Sequence, residues 1–199
     1  MYYKNKEKCL NIKPGETGII FDLEATCQVD NKDFDMETIE IGAVAVGEGL
    51  VVKGSFDIFI KPVINPVLSE FCTELTHIKQ SVVDNAQSFD AAYDIFFDWL
   101  NNLKTNSNLI FYSWGDYDKK QLEKDCRRNG FNSPWEIYPH INLKKALCKH
   151  LNIKTKGVGR MLKILGLDFE GVPHSGIADA KNIHRIWQHV ILKDTYFKQ

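Results

Sequence analysis

The sequence has no apolar run near the ~20 residues that a membrane-spanning helix requires, so we expect no membrane segment. Its five cysteines are scattered, odd in number and without C-x-x-C spacing. That usage disfavours a disulfide framework or a cysteine zinc site and favours reduced thiols that mostly pack. The polar, lysine-rich start lacks the apolar stretch of a secretory signal. We therefore expect a cytoplasmic protein.

A strong net charge is also missing. The formal net charge is −1, which is not the basic footprint of a protein that coats nucleic acid. An enzyme that holds only a few nucleotides stays possible, because bound cations would offset an acidic site. With 199 residues, 44% of them hydrophobic and 26% charged, the composition is that of a globular protein with a full core. We expect a short tail over residues 1–15 and one domain over 16–199.

Apolar periodicity predicts strands first and then helices alternating with a strand. The predicted strands are 18–23, 39–46, 55–60 and 108–112, with 136–141 as a weak candidate for another. The predicted helices are 89–103, 117–129, 142–150, 157–165 and 179–192. This order indicates one α/β domain with a mixed sheet.

Acidic residues are concentrated in three separated segments. Asp22 and Glu24 end the first predicted strand, where the two-residue period puts both side chains on one face. Two such carboxylates repel each other unless a cation or a proton lies between them. A solvated strand end has the same pattern, so this pair alone is a weak signal.

The other two segments supply further acids and a histidine. Asp116 and Asp118 follow the fourth predicted strand, and at least one of them is well placed to cap the next helix. His174 is on a loop five residues before Asp179, which starts the last predicted helix. An imidazole suits a general base, although a lone loop histidine is more often a surface residue.

Together, four carboxylates and one histidine suit two hard cations about 3.5–4 Å apart, an arrangement that favours hydrolysis of phosphodiester bonds. Oxygen ligands fit Mg²⁺, and Mn²⁺ fits equally well.

The order D-x-E, a later aspartate after a strand, and then H-x-x-x-x-D resembles the DEDDh 3′→5′ exonucleases of the DnaQ-like group. The segments FDLEATC, IEIGAV, FCTELTHI and HSGIADAKNIHRI are more similar still to the Eri-like exoribonucleases and the bacterial KapD-like proteins. The resemblance implies an RNase H-like fold with a mixed five-stranded sheet flanked by helices. It also implies removal of nucleotides from the 3′ ends of single-stranded nucleic acid as 5′-monophosphates. RNA is favoured on the resemblance, and DNA stays open.

The resemblance also assigns roles by position. It makes Asp22, Glu24 and Asp179 ligands of a first metal ion, with Asp22 and a middle aspartate holding a second, and His174 the general base. An aromatic residue precedes Asp118 and a helix follows it, as in the family, so we choose Asp118 and keep Asp116 as the alternative.

Substrate contacts are predicted near the motifs. Leu23 lies between the two acids, backbone groups near Ala25 and Thr26 could meet the terminal sugar, and Leu75 could pack on a base. The Eri-like turn usually has glycine where this sequence has His77. His77 therefore either alters the substrate contact or fills a turn position, which it can do only where φ > 0 is not strongly required.

Two other functions are compatible with an exonuclease fold. One is a non-catalytic binding or regulatory protein, which the complete set of acids and the histidine argue against. The other is a proofreading-type DNA exonuclease that acts with a polymerase. The expected partners are the 3′ ends of single-stranded RNA or DNA, and the sequence identifies no protein partner.

Overall fold

A computed structural model describes residues 10–29, 31, 33–104 and 108–197, with side chains up to residue 192. The strands are β1 (Glu16–Ala25), β2 (Thr38–Val46), β3 (Val52–Phe59), β4 (Asn108–Ser113) and β5 (His140–Asn142). The helices are α1 (Glu70–Thr76), α2 (Gln80–Asp84), α3 (Phe89–Lys104), α4 (Tyr117–Arg128), α5 (Leu143–His150), α6 (Val158–Leu165) and α7 (Gly176–Phe197).

The strands form one mixed sheet in the order β3-β2-β1-β4-β5. β2 is antiparallel to both β1 and β3, whereas β4 is parallel to both β1 and β5. The predicted five-stranded mixed sheet with flanking helices is therefore confirmed. The fifth strand is shorter and later than the candidate at 136–141, because only three residues pair with β4.

Alternation along β1 divides its side chains between two cores. Ile19, Phe21 and Leu23 pack with the apolar faces of α3 and α4. Ile20 points to the other face, where α5, α6 and α7 pack. Because the side-chain period of a strand is two, Asp22 and Glu24 follow Ile20 on that second face. The end of β1 therefore presents its acids beside α7, which packs across β1 and β2.

The main departures from the predicted elements are short helices and helix ends. α1 and α2 were not predicted, since seven and five residues are too short to display a helical period. Ser69 caps α1 by accepting a hydrogen bond from the Cys72 N–H (3.0 Å). The predicted helix at 179–192 begins earlier, at Gly176.

Part of the predicted tail is packed on the domain. Leu10 and Ile12 are buried in the core on the α7 side of the sheet. The Trp187 indole N–H donates to the Leu10 carbonyl (3.0 Å), which fixes this segment to α7. Residues 10–12 are thus core rather than tail, because two apolar side chains interrupt the polar start. The limits of the domain otherwise stay a prediction.

The described cysteines are free thiols, with Cys72, Cys126 and Cys148 buried and Cys27 partly buried, while Cys9 lies outside the described residues. Within the described part of the chain, no helix is both long and apolar enough to cross a bilayer.

Candidate active site

Three predicted site acids converge at the end of β1. Carboxylate oxygens of Asp22, Glu24 and Asp179 lie within 4.8 Å of one another. The first two extend from one face of β1, and Asp179 comes from the first turn of α7. Residues 155 positions apart in the chain are therefore brought to one point by the packing of α7 on the sheet.

Two glycines permit this close packing. A Cβ built on Gly42 of β2 would overlap the backbone of Gly176 and Ile177 at the start of α7. A Cβ on Gly176 would lie 3.0 Å from the Asp22 carbonyl oxygen and 3.1 Å from the Gly42 nitrogen. Any larger residue at 42 would push the start of α7, and Asp179 with it, away from β1.

The structure separates the two middle aspartates. Asp118 is 5% exposed, and its carboxylate accepts a hydrogen bond from the Leu23 N–H (3.3 Å), between Asp22 and Glu24. Asp116 precedes α4 but its side chain caps no helical N–H, and its carboxylate pairs with Lys145 Nζ at 2.6 Å. Asp118 therefore lies beside the three converging acids, and Asp116 faces the α5 side of the molecule.

Burial is the main cause that disfavours ionisation of the clustered acids, and repulsion between neighbouring carboxylates adds to it. Burial, followed by the charge of Asp118, raises the pKa of Asp22 well above its usual value. Burial, followed by the charge of Glu40, raises the pKa of Glu24 to about 8. Burial raises the pKa of Asp118 to about 6 and also raises that of Asp179. Acids that resist ionisation together in this way form a site that a divalent cation would stabilise.

His174 stands on the loop just before α7. Its side chain is exposed and lines the cleft above the acids. Its backbone N–H donates to the Asp179 carboxylate (2.8 Å), which ties the loop to the cluster. The residue has a φ of 60°, so this loop places a non-glycine residue in the left-handed region. The imidazole is accessible to a water molecule entering the cleft.

The acids lie in a cleft of about 750 Å³. Of the predicted substrate contacts, Leu23, Ala25 and Leu75 line it. Thr26 is buried away from it, with its hydroxyl accepting from the Glu37 N–H (2.9 Å). His77 is exposed at the end of α1 and is also outside the cleft lining. The substrate roles of all five residues stay predictions.

His77 occupies a position that favours glycine. Its φ is 61°, and its N–H closes α1 by donating to the Thr73 carbonyl (2.9 Å). The turn therefore does require φ > 0, which costs a non-glycine residue roughly 1–2 kcal/mol. The backbone accommodates His77 in spite of that requirement.

Several cleft residues were not predicted from the sequence. Trp114 precedes the middle aspartates and Tyr117 lies between them, and Tyr117 is 46% exposed at the cleft. The Trp114 indole N–H donates to the Lys156 carbonyl (2.9 Å), which holds the segment before α6 against the end of β4. Aromatic residues interleaved with acids in YSWGDYD were the available signal. The glycine-rich start of α6, which also lines the cleft, carried none.

Comparison with known proteins assigns the family. The RNase T exonuclease family model matches residues 19–187. The nuclease domain of 3′hExo, a DEDDh family member solved bound to rAMP, is 31% identical and superposes with a TM-score of 0.84 over 92% of this chain and 94% of that one. This chain belongs to the DEDDh exonuclease family. The predicted resemblance to Eri-like 3′→5′ exonucleases is thereby confirmed.

Full-length relatives extend well beyond the matched region. ERI1 exoribonuclease 2 of Xenopus laevis is 30% identical over 195 residues, covering 87% of this chain and 28% of that protein. ERI1 exoribonuclease 3 of Homo sapiens is 34% identical over 187 residues, covering 91% of this chain and 55% of that protein. The chain thus spans between about a quarter and just over half of these relatives. The DEDDh exonucleases depend on divalent metal ions, and among the described residues of this chain the acidic cluster is suited to hold them.

Proposed function

We propose that this chain is a metal-dependent 3′→5′ exonuclease that acts on single-stranded RNA and releases nucleoside 5′-monophosphates. The observation that carries the proposal is the convergence of Asp22, Glu24 and Asp179 in an open cleft that His174 also lines. The identity to proteins named exoribonucleases favours RNA over DNA.

The donor set fits hard divalent cations. All the converging side chains offer carboxylate oxygens, the ligands of Mg²⁺ and Mn²⁺. The raised pKa of Glu24, about 8, indicates that ionising the whole cluster is costly without a counter-charge. We propose that Asp22, Glu24 and Asp179 hold one Mg²⁺ and that Asp22 and Asp118 hold another. When bound, such ions would stabilise the charge that develops on the attacking and leaving oxygens.

His174 is proposed as the general base. A neutral imidazole nitrogen there would accept a proton from the water that attacks the terminal phosphodiester. The link from the His174 N–H to the Asp179 carboxylate holds the loop near the acids and leaves the imidazole exposed. The leaving group is the 3′ oxygen of the preceding nucleotide, so the phosphate stays on the released nucleotide.

The cleft walls suit an unpaired terminal nucleotide. Leu23 and Leu75 offer apolar surface, and Tyr117 offers an exposed ring on which a base can stack. Stacking is tolerant of base identity and contributes about 1–3 kcal/mol per base. We propose that these three side chains hold the terminal base with little sequence preference.

A cleavage assay tests the proposal. The purified protein would be incubated with 5′-labelled single-stranded RNA or DNA, with Mg²⁺, Mn²⁺ or EDTA. We expect a ladder that shortens from the 3′ end of RNA and needs metal. Asp22→Asn should lower the rate by about 10³-fold, because loss of a ligand removes several kcal/mol of charge stabilisation.

Asp98→Asn is the matched control. Asp98 is exposed on α3, which packs on the opposite face of the sheet, and its substitution should leave the rate unchanged. Cleavage of DNA in preference to RNA would contradict the proposed substrate. Absence of cleavage of both, with a folded protein and either metal, would support a binding function instead.

A further inference from the structure

A further acid, on the α7 side of the sheet, has no part in the chemistry proposed above. Glu40 of β2 is 1% exposed and lies opposite Glu24 in the β1–β2 register. It is outside the group of converging carboxylates found among the described residues. A buried glutamate is costly unless its oxygens are hydrogen bonded, so its partners indicate what it does.

The partners of Glu40 are the donors at the start of α7. One carboxylate oxygen, Oε1, accepts from the Ile177 N–H (3.1 Å) and from the Ser175 hydroxyl (3.3 Å). The first N–H groups of a helix have no partner inside the helix, and a side-chain oxygen usually satisfies one of them from the N-cap position. Here the oxygen comes from a neighbouring strand, which fastens the helix start to the sheet.

This fastening point lies between the proposed base and a proposed metal ligand. Ser175 directly follows His174, and the Asp179 N–H donates to the Ser175 carbonyl (2.8 Å). The His174 N–H in turn donates to the Asp179 carboxylate (2.8 Å). A displacement of Ser175 therefore moves His174 and Asp179 together.

The packing of α7 on the sheet also depends on two glycines at this point. The absence of side chains at Gly42 and Gly176 allows α7 to approach the sheet, and a Cβ on Gly176 would lie 3.2 Å from Glu40 Oε1. The glycines permit the approach, and the hydrogen bonds of Glu40 hold it. The Asp57 carboxyl lies within hydrogen-bonding reach of Glu40.

We propose that Glu40 is a positioning residue that fastens the start of α7 to β2, so that His174 and Asp179 face Asp22 and Glu24. The inference rests on the proposed exonuclease function. It assigns to Glu40 the role of a hydrogen-bond acceptor rather than that of an additional metal carboxylate.

Two substitutions of similar size separate these roles. Glu40→Gln keeps one acceptor oxygen for Ile177 and an amide that can donate to Asp57, whereas Glu40→Met keeps neither. We expect Glu40→Met to lower kcat by about 10²-fold, as a misplacement of about 1 Å can, with the KM for RNA unchanged. The kcat of Glu40→Gln should stay close to that of the protein without substitutions. Mn²⁺ binding, measured by calorimetry, should weaken in Glu40→Met and be preserved in Glu40→Gln.

Glu37→Met is the matched control. Glu37 is also a buried glutamate that accepts backbone N–H groups, from Val63 (2.9 Å) and Asn65 (2.7 Å), but it fastens a loop rather than α7. Its substitution should lower the melting temperature and leave kcat and Mn²⁺ affinity unchanged. An equal loss of kcat in both methionine variants would overturn the specific role of Glu40.

Other outcomes also decide the matter. Loss of kcat and of Mn²⁺ binding in Glu40→Gln, equal to the loss in Glu40→Met, would make the charge essential and overturn the proposal. If Glu40→Met does not fold, Ser175→Ala removes one of the two donors and should lower kcat several-fold at constant KM; an unchanged kcat would overturn the proposal. If the unchanged protein cleaves no substrate, the exonuclease function fails separately, and equal Mn²⁺ affinity in Glu40→Met would still overturn the role of Glu40.

Discussion

Replacing Glu24 with glutamine should stabilise the metal-free protein at neutral and alkaline pH. Burial and the surrounding acids raise the pKa of Glu24 from 4.5 to about 8. The folded state therefore holds a proton on this group over a range where the unfolded chain has released it. Because the folded state binds more protons, the contribution of Glu24 to stability is most favourable below pH 4.5 and falls as the pH rises toward 8.

The size of the effect follows from the same two values. At pH 7.5, a group with a pKa of 4.5 in the unfolded chain and about 8 in the fold opposes folding by about 4 kcal/mol. Glutamine has a similar shape and no charge, so Glu24→Gln should recover up to that amount. For a chain of 150–250 residues this corresponds to a rise in Tm of about 8–16 °C.

Thermal unfolding, followed by circular dichroism, would measure the change. In EDTA, the Tm of Glu24→Gln should exceed that of the unchanged protein at pH 7.5, and the two should converge near pH 4. With Mg²⁺ or Mn²⁺ at about 100 times the dissociation constant, the free energy of unfolding of the protein without substitutions rises by about 2.7 kcal/mol. The difference in Tm between this protein and Glu24→Gln therefore narrows. A variant that is less stable than the unchanged protein in EDTA at pH 7.5 would refute the reasoning.

Three further predictions concern single side chains. Asp118→Asn should lower kcat by at least about 10²-fold and Asp116→Asn should leave kcat nearly unchanged, since only Asp118 lies beside the converging acids. Steady-state kinetics would measure both values. A large loss of kcat in Asp116→Asn, with little loss in Asp118→Asn, would show that Asp116 is the ligand. His174→Ala should lower kcat by about 10²–10⁴-fold at pH 7.5, the usual contribution of a general base; full activity would exclude that role. His77→Gly should raise the free energy of unfolding, measured in urea, by about 1 kcal/mol through relief of the left-handed φ of 61°; a loss of stability would mean that the histidine ring makes a compensating contact.

The regular elements could be predicted because their apolar patterns are long. β1 and β2 are apolar runs, and α3 repeats buried residues such as Ala92, Phe96 and Leu100 at helical spacing. α1 has seven residues and α2 has five, which is too short for a helical period to show in the sequence, and β5 has only three residues. Their positions depend on tertiary contacts that a local pattern does not contain.

The site was predictable in part for a related reason. The period of a strand places Asp22 and Glu24 on one face whatever the rest of the fold does. By contrast, less than one helical turn separates Asp116 from Asp118, so the docking of α4 decides which of them faces β1. The start of α7 at Gly176 likewise depends on its contact with Gly42, which lies far away in the sequence. The aromatic residues between the acids in YSWGDYD are a local signal for Tyr117, but the docking of α4 decides that its ring lines the cleft.

The identity of the first product tests the central claim most directly. A single-stranded RNA with a distinctive 3′-terminal nucleotide would be incubated with the protein and Mg²⁺, and the products would be identified by mass spectrometry. We predict that this nucleotide is released first, as a nucleoside 5′-monophosphate, and that EDTA or Asp22→Asn suppresses its release. Release from the 5′ end, internal cleavage, or a product bearing a 3′-phosphate would contradict the account.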